Sequence, residues 1–67
     1  MAVGRVTEVI GASPKSWDDA VQEAIKRASK TLRGITGLEI TKMNASVKGG
    51  KIAEYRAHVN ITFVLEE

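Results

Sequence analysis

The sequence contains no cysteine, one proline and a single histidine, His58. The absence of cysteine excludes disulfides and thiolate zinc sites, and a single histidine leaves no histidine cluster within the chain to form a metal-dependent fold. No apolar run approaches the roughly 20 residues that a membrane-spanning helix needs. The first residues also lack the basic segment and apolar stretch of a secretory signal. We therefore expect a cytoplasmic protein that does not contact a membrane.

Aromatic residues and net charge are also scarce. Aromatics make up 4% of the chain, and ten basic residues against eight acidic ones leave a net charge of +2. A nucleic-acid-binding protein usually has a stronger positive field, and aromatic side chains that stack on bases. A basic stripe along the predicted helix is interpreted as a solvated or inter-subunit face; it contains Lys26, Arg27, Lys30 and Arg33. No nucleic-acid partner is expected.

The length of 67 residues predicts one domain covering residues 1–67. Ordering that many residues costs on the order of 100 kcal/mol, which a core this small only about balances. Disulfides and a structural metal cluster are excluded by composition, so association is the remaining source of stability. We expect an obligate assembly of identical chains.

The first half of the chain reads as a strand followed by a helix. Residues 3–10 are rich in valine, threonine and isoleucine, and the Gly-Ala-Ser-Pro segment after them predicts the end of the strand. Apolar residues then recur at spacings of three and four, which predicts a helix over residues 17–33. Ser16 is the expected N-cap, with Asp19 completing a capping box and Gly34 as the C-cap.

The second half reads as a hairpin. Leu38 and Ile40 alternate with polar residues, but the apolar positions then change parity at Met43, which predicts a β-bulge or bend. Gly49-Gly50 predicts a two-residue turn, because both central residues of a type I′ turn need positive φ. Every odd residue from 53 to 65 is apolar, which predicts a strand over 40 Å long at ~3.4 Å per residue.

These elements predict an α+β fold of order β-α-β-β. A right-handed crossover places the first strand parallel to the second, and the third fits between them antiparallel to both. The result is a three-stranded antiparallel sheet of order 2-3-1 that wraps one helix. The third strand exceeds what that helix can cover, so part of its apolar face is expected to need a neighbouring subunit.

No catalytic constellation is present. The single histidine lies between Arg56 and Asn60 on the polar face of a strand, which indicates a solvated or interface side chain rather than a catalytic base. Asp18 and Asp19 are candidate ligands for a hard cation, although acids in the first turn commonly stabilise a helix dipole. Trp17 is interpreted as a packing residue, with an exposed stacking platform as the alternative. We expect a protein that is not an enzyme.

Three segments resemble the dodecin family over nearly the whole chain. They are V-x-E-V-I-G-A-S-P at residues 6–14, A-I-x-R-A-x-K-T-L-R at residues 24–33, and G-G-K-I-x-x-Y-R…F-x-L-E at residues 49–66. The resemblance implies a β-α-β-β protomer in a hollow homododecamer. It also implies a small ligand at subunit junctions, and the usual ligand of the family is a flavin such as FMN, riboflavin or FAD.

The resemblance also locates two candidate ligand-binding residues. Flavin-storing dodecins have a ring-stacking tryptophan after the helix where this chain has Gly37, and a ring-binding glutamine where it has Arg56. Both contacts with a flavin ring are altered, so we expect flavin to bind more weakly here. The S-W-[DE] and Y-R motifs are similar to those of calcium dodecins, which makes a calcium-binding protein one alternative. A structural or partner-binding assembly without a small-molecule site is the other.

Overall fold

A computed structural model describes residues 3–65 of the chain. The elements are β1 (Val3–Ser13), α1 (Trp17–Ala28), β2 (Ile35–Lys48) and β3 (Lys51–Leu65). They form a three-stranded sheet of order β1-β3-β2, and β3 pairs antiparallel with both neighbours. The predicted fold class and strand order are confirmed. The last residue of the closing motif, Glu66, lies outside the described residues.

The core lies between α1 and the central part of the sheet. Its buried residues are three alanines of the helix and three apolar residues of β3, namely Ala20, Ala24, Ala28, Ala57, Val59 and Ile61. Alanine side chains are short, so the helix axis lies close to the sheet. The helix packs on β1 and β3 and extends only about 18 Å at 1.5 Å per residue, whereas the molecule is 52 Å long. Much of the sheet is therefore uncovered by the protomer's own helix.

The start of α1 differs in part from the predicted capping box. The Ser16 hydroxyl accepts a hydrogen bond from the backbone N–H of Asp19 at 3.0 Å, as expected of an N-cap. The Asp19 carboxylate, however, accepts a hydrogen bond of 2.6 Å from the hydroxyl of Ser13. Ser13 is buried, and its oxygen also accepts from the backbone N–H of Lys15. The carboxylate therefore ties the helix to the end of β1.

The predicted helix end at residue 33 is wrong, because α1 ends at Ala28. Ser29, not Gly34, is the C-cap, and the following N–H groups of Lys30 and Thr31 bond to carbonyls three residues back. Such bonds tighten the last turn and end the α-helix. Gly34 has φ 73° and accepts a backbone hydrogen bond from Val64 of β3 at 3.0 Å. It therefore directs the chain into the sheet.

The predicted end of β1 at Ile10 is also wrong. The strand continues for three residues, which pair with residues 55–57 of β3. Gly11 and Ser13 do not interrupt it because tertiary contacts favour both: Gly11 lies under the helix, and Ser13 binds Asp19. Strands β2 and β3 begin at Ile35 and Lys51, a few residues before their predicted starts. The turn propensity of residues 11–13 therefore gave a wrong strand end, because pairing with β3 outweighs that propensity.

The hairpin and the irregularity in β2 are confirmed. Gly49 and Gly50 have φ of 58° and 76°, and the pair Lys48 and Lys51 flanks this two-residue turn. Strand β2 has a register shift between Ile40 and Lys42, where the apolar parity changes. The bulged residue there is Thr41.

Candidate ligand-binding site

The two faces of the sheet have different roles. Odd-numbered residues of β3 from 57 to 63 are buried on the side of the helix. The even-numbered residues lie on the opposite side, which we call the outer face, together with their cross-strand partners. Its central row along β3 consists of Glu54, Arg56, His58, Asn60 and Thr62. Both residues that the resemblance assigned to a ligand lie on this face.

Gly37 lies opposite Thr62, just after a register shift in β2. A β-carbon built at Gly37 would meet no atom within 4 Å, and its backbone is outside the positive-φ region. The surface above Gly37 is therefore open, and the backbone accepts residues larger than glycine. The glycine leaves open the position to which the sequence resemblance assigned a stacking indole.

Arg56 lies opposite Asn44 near the other end of the outer face. Its Nε donates a 2.8 Å hydrogen bond to Oε1 of Glu54, two residues away on the same strand. The side chains are 45% and 42% exposed, so the pair contributes little to stability. The guanidinium is held in place but remains accessible to a ligand.

Gly37 and Arg56 are far apart within one protomer. Their positions on β3 are six residues apart, at Thr62 and Arg56, which corresponds to about 20 Å along the strand. A depression of about 430 Å³ lies between residues 31–34 and the end of β3, and one of about 490 Å³ lies between α1 and β1. Neither is lined by Gly37 or Arg56. A single ring system cannot contact both residues of one chain.

The two acidic candidates are also not brought together. Asp18 is exposed, whereas Asp19 is half-buried and binds Ser13. Consecutive residues of a helix point in directions about 100° apart, so the two carboxylates do not converge. Within residues 3–65 no group of three or more histidine, cysteine, aspartate or glutamate side chains could hold a metal.

Trp17 has a structural contact at the start of α1. Its indole Nε1 donates a 2.9 Å hydrogen bond to the backbone carbonyl of Asn44, and its ring meets Tyr55 edge-on with centroids 4.8 Å apart. The interpretation of Trp17 as a packing residue is confirmed. The indole joins the helix to β2, a contact whose partner the sequence did not reveal.

Two outer-face residues near Arg56 were missed by the sequence analysis. Lys42 lies opposite His58, and the Asn44 amide nitrogen lies 3.4 Å from Nε2 of that histidine. The parity change in β2 was the only sequence signal that Lys42 lies on this face. Strand register, which the sequence does not state residue by residue, places these groups beside Arg56.

The described part of the chain contains no helix long and apolar enough to cross a bilayer. The Dodecin family model matches residues 3–66. The chain belongs to the dodecin family.

Individual dodecins are similar to this chain over nearly their full length. The structure of dodecin from Streptomyces coelicolor superposes with a TM-score of 0.95 at 39% identity, covering 98% of this chain and 94% of that one. Dodecin from Thermus thermophilus is 31% identical over 65 residues, which are 97% of this chain and 94% of the relative. The family resemblance seen in the sequence is therefore confirmed.

A third relative is named for its ligand. The calcium dodecin of Mycobacterium tuberculosis is 30% identical over 63 residues, covering 94% of this chain and 89% of that protein. Its crystal structure, described as having a novel calcium-binding site, superposes with a TM-score of 0.83 at 32% identity and covers 96% of this chain and 91% of that one. The family thus includes a member named for a cation.

Proposed function

We propose that this dodecin is a non-enzymatic cytoplasmic protein that binds and stores a small ligand at the junctions of a hollow homododecamer. The observation that carries the proposal is the separation of Gly37 from Arg56 on the outer face. Gly37 of β2 and Arg56 of β3 are about 20 Å apart along the sheet, so they contact the same compact ligand only if different protomers supply them. A site of this kind is completed by assembly.

An uncovered apolar stripe on β2 supports assembly. Leu38, Ile40 and Met43 lie opposite buried residues of β3, on the same side of the sheet as the helix. They are nevertheless 42%, 45% and 51% exposed, because α1 packs over β1 and β3. A second copy of the chain that covers this stripe removes apolar surface from water at about 25 cal/mol per Å².

The ligand class follows from family membership and from the two altered positions. A flavin is the first candidate, bound without the indole at Gly37 and with Arg56 in place of a neutral amide. Loss of one stacking indole removes ~1 kcal/mol or more of interaction per ring face. We therefore expect flavin affinity below that of dodecins with the tryptophan.

Fluorescence titration of the purified protein with riboflavin and FMN tests this function. Saturable quenching that requires the assembled species supports storage of flavin at junctions. Sedimentation velocity on the same sample measures the assembly, with one species near twelve subunits expected. Absence of quenching up to millimolar flavin would remove flavin as the ligand.

Calcium is a second candidate ligand, supported by the similarity to the calcium dodecin of Mycobacterium tuberculosis. The exposed Asp18 is the more available of the two first-turn carboxylates, because Asp19 already binds Ser13. Rotational symmetry would bring copies of one carboxylate together without any cluster within the chain. Calorimetry with calcium should give heat in the parent that is lost in Asp18→Asn. No heat at millimolar calcium would reject this candidate.

A further inference from the structure

The bulge in β2 determines the direction of Lys42. Ile40 lies opposite Val59 and Lys42 lies opposite His58, so Thr41 is the extra residue. The Thr41 hydroxyl donates a 3.3 Å hydrogen bond to the carbonyl of His58, which holds the irregular segment against β3. Side chains alternate along a strand, so a regular β2 would turn Lys42 toward the helix side. Bulges commonly re-aim a side chain next to a binding site.

The pair of Lys42 and His58 lies next to a second cross-strand pair on the outer face, which consists of Asn44 and Arg56. Asn44 lies opposite Arg56, and its amide nitrogen is 3.4 Å from Nε2 of His58. Directly opposed residues of a sheet have β-carbons about 5 Å apart, so the four side chains occupy one compact area. We call Lys42, Asn44, Arg56 and His58 the outer-face cluster.

The outer-face cluster has uncommitted donors. Within residues 3–65 the Arg56–Glu54 contact is the one ion pair, and it uses only Nε of the guanidinium. The terminal nitrogens of Arg56 and the ammonium of Lys42 form no hydrogen bond to the rest of the described chain. Arginine presents a fork of donors that matches the oxygens of a phosphate, and lysine adds a compact charge.

Acidic residues limit the size of an anion that the cluster could take. Glu54 lies beside Arg56 at one end, and Glu8 and Glu39 flank Asn60 in the next row at the other end. An extended polyanion lying along the strand would be repelled by these carboxylates. A compact group with one or two phosphates fits between them.

We propose that the outer-face cluster binds the phosphate group of a small ligand, with Arg56 and Lys42 supplying charge and Asn44 and His58 supplying hydrogen bonds. The proposal rests on the proposed function that this dodecin binds a small ligand on this face. The phosphate belongs either to a nucleotide-like ligand such as FMN, of which the phosphate and not the ring would then contact Arg56, or to a free inorganic phosphate. The experiments below distinguish these two sources.

Calorimetric titration of the assembled protein with pyrophosphate at low ionic strength is the first test. We expect saturable binding that weakens at least ten-fold in Arg56→Gln and in Lys42→Gln. Lys26→Gln, which removes the same charge from the exposed face of the helix, is the matched control and should stay within two-fold of the parent. Equal affinities in all four proteins would overturn the proposal.

The single histidine provides a second, local readout. The ring signals of His58 in a proton NMR spectrum need no assignment, because the chain has no other histidine. Pyrophosphate should shift them saturably in the parent and in Lys26→Gln. Ring signals unchanged at concentrations that saturate the calorimetric titration would place the anion elsewhere and overturn the proposal.

A comparison of FMN with riboflavin separates the sources of the phosphate. FMN binding at least ten-fold tighter than riboflavin, with the difference lost in Arg56→Gln, supports a ligand phosphate. If pyrophosphate binds but FMN and riboflavin bind with equal affinity, the result supports a free phosphate as the ligand of the cluster. If pyrophosphate binds and neither flavin does, flavin is rejected as the stored ligand, and phosphate binding by the outer-face cluster is supported. If both flavins bind equally and pyrophosphate does not bind, the cluster fails and flavin storage stands.

Discussion

Gly11 of β1 lies directly against the backbone carbonyl of Ala20 in α1, so that a β-carbon at Gly11 would collide with that carbonyl oxygen. The glycine is therefore required by close packing of helix and strand, although it sits in the middle of a paired strand. This contact sets the distance between α1 and the sheet in the half of the core nearest the helix start.

Replacing this glycine should destabilise the fold. Gly11→Ala forces the helix away from β1, and overpacking of this kind costs about 1–3 kcal/mol. Gly4→Ala is the matched control, because a β-carbon there meets no atom within 4 Å. Thermal unfolding at a fixed protomer concentration measures both, since association affects the midpoint. Equal midpoints for the two variants would contradict the packing argument.

Trp17→Phe should loosen the junction between α1 and β2. The substitution keeps an aromatic ring near Tyr55 but removes the hydrogen bond from the indole to the Asn44 carbonyl. A hydrogen bond contributes about 0.5–1.5 kcal/mol net, and the smaller ring adds a packing loss. Denaturant unfolding measures the change, and Tyr55→Phe, which retains both rings, serves as a control. A Trp17→Phe protein as stable as the parent would show that this junction is not important.

Gly37→Trp should strengthen flavin binding. The backbone at Gly37 is outside the positive-φ region and the surface above it is open, so an indole can be accommodated. Stacking of an indole on a flavin ring should lower the dissociation constant for FMN about ten-fold, which corresponds to ~1.4 kcal/mol. Fluorescence quenching measures the affinity.

The control for this gain of binding is Gly4→Trp. Gly4 is also open and lies opposite Val64 on the outer face, away from the position that the family resemblance assigns to the ring. An equal gain in both tryptophan variants would indicate nonspecific stacking. No gain in Gly37→Trp would contradict the placement of the ligand at this residue.

Ile40→Asp should disrupt assembly. The side chain belongs to the apolar stripe that α1 leaves uncovered, and a buried unpaired carboxylate at a subunit contact costs several kcal/mol. Sedimentation should show loss of the assembled species together with unfolded or aggregated chains. Gln22→Glu adds the same charge on the exposed face of the helix and should leave assembly intact. An intact assembly of Ile40→Asp would show that this stripe is not an interface.

Short-range sequence features determined much of the fold. The alternation in β3, the glycine pair at the hairpin and the parity change at Met43 each depend on neighbouring residues, and all three appear in the structure. Family membership was also readable from the sequence, because its motifs cover nearly the whole chain. The prediction that the chain forms one domain over residues 1–67 stays a prediction.

Contacts between distant residues decided the rest. Strand β1 continues to Ser13 because β3 and Asp19 provide partners there, and α1 ends at Ala28 where the chain must return to the sheet. The distance between Gly37 and Arg56, and the placement of Lys42 opposite His58, follow from cross-strand register and a bulge at a specific residue. Local propensity predicts which residues form a strand, but register depends on packing between strands, and only the tertiary structure shows which side chains meet on the outer face.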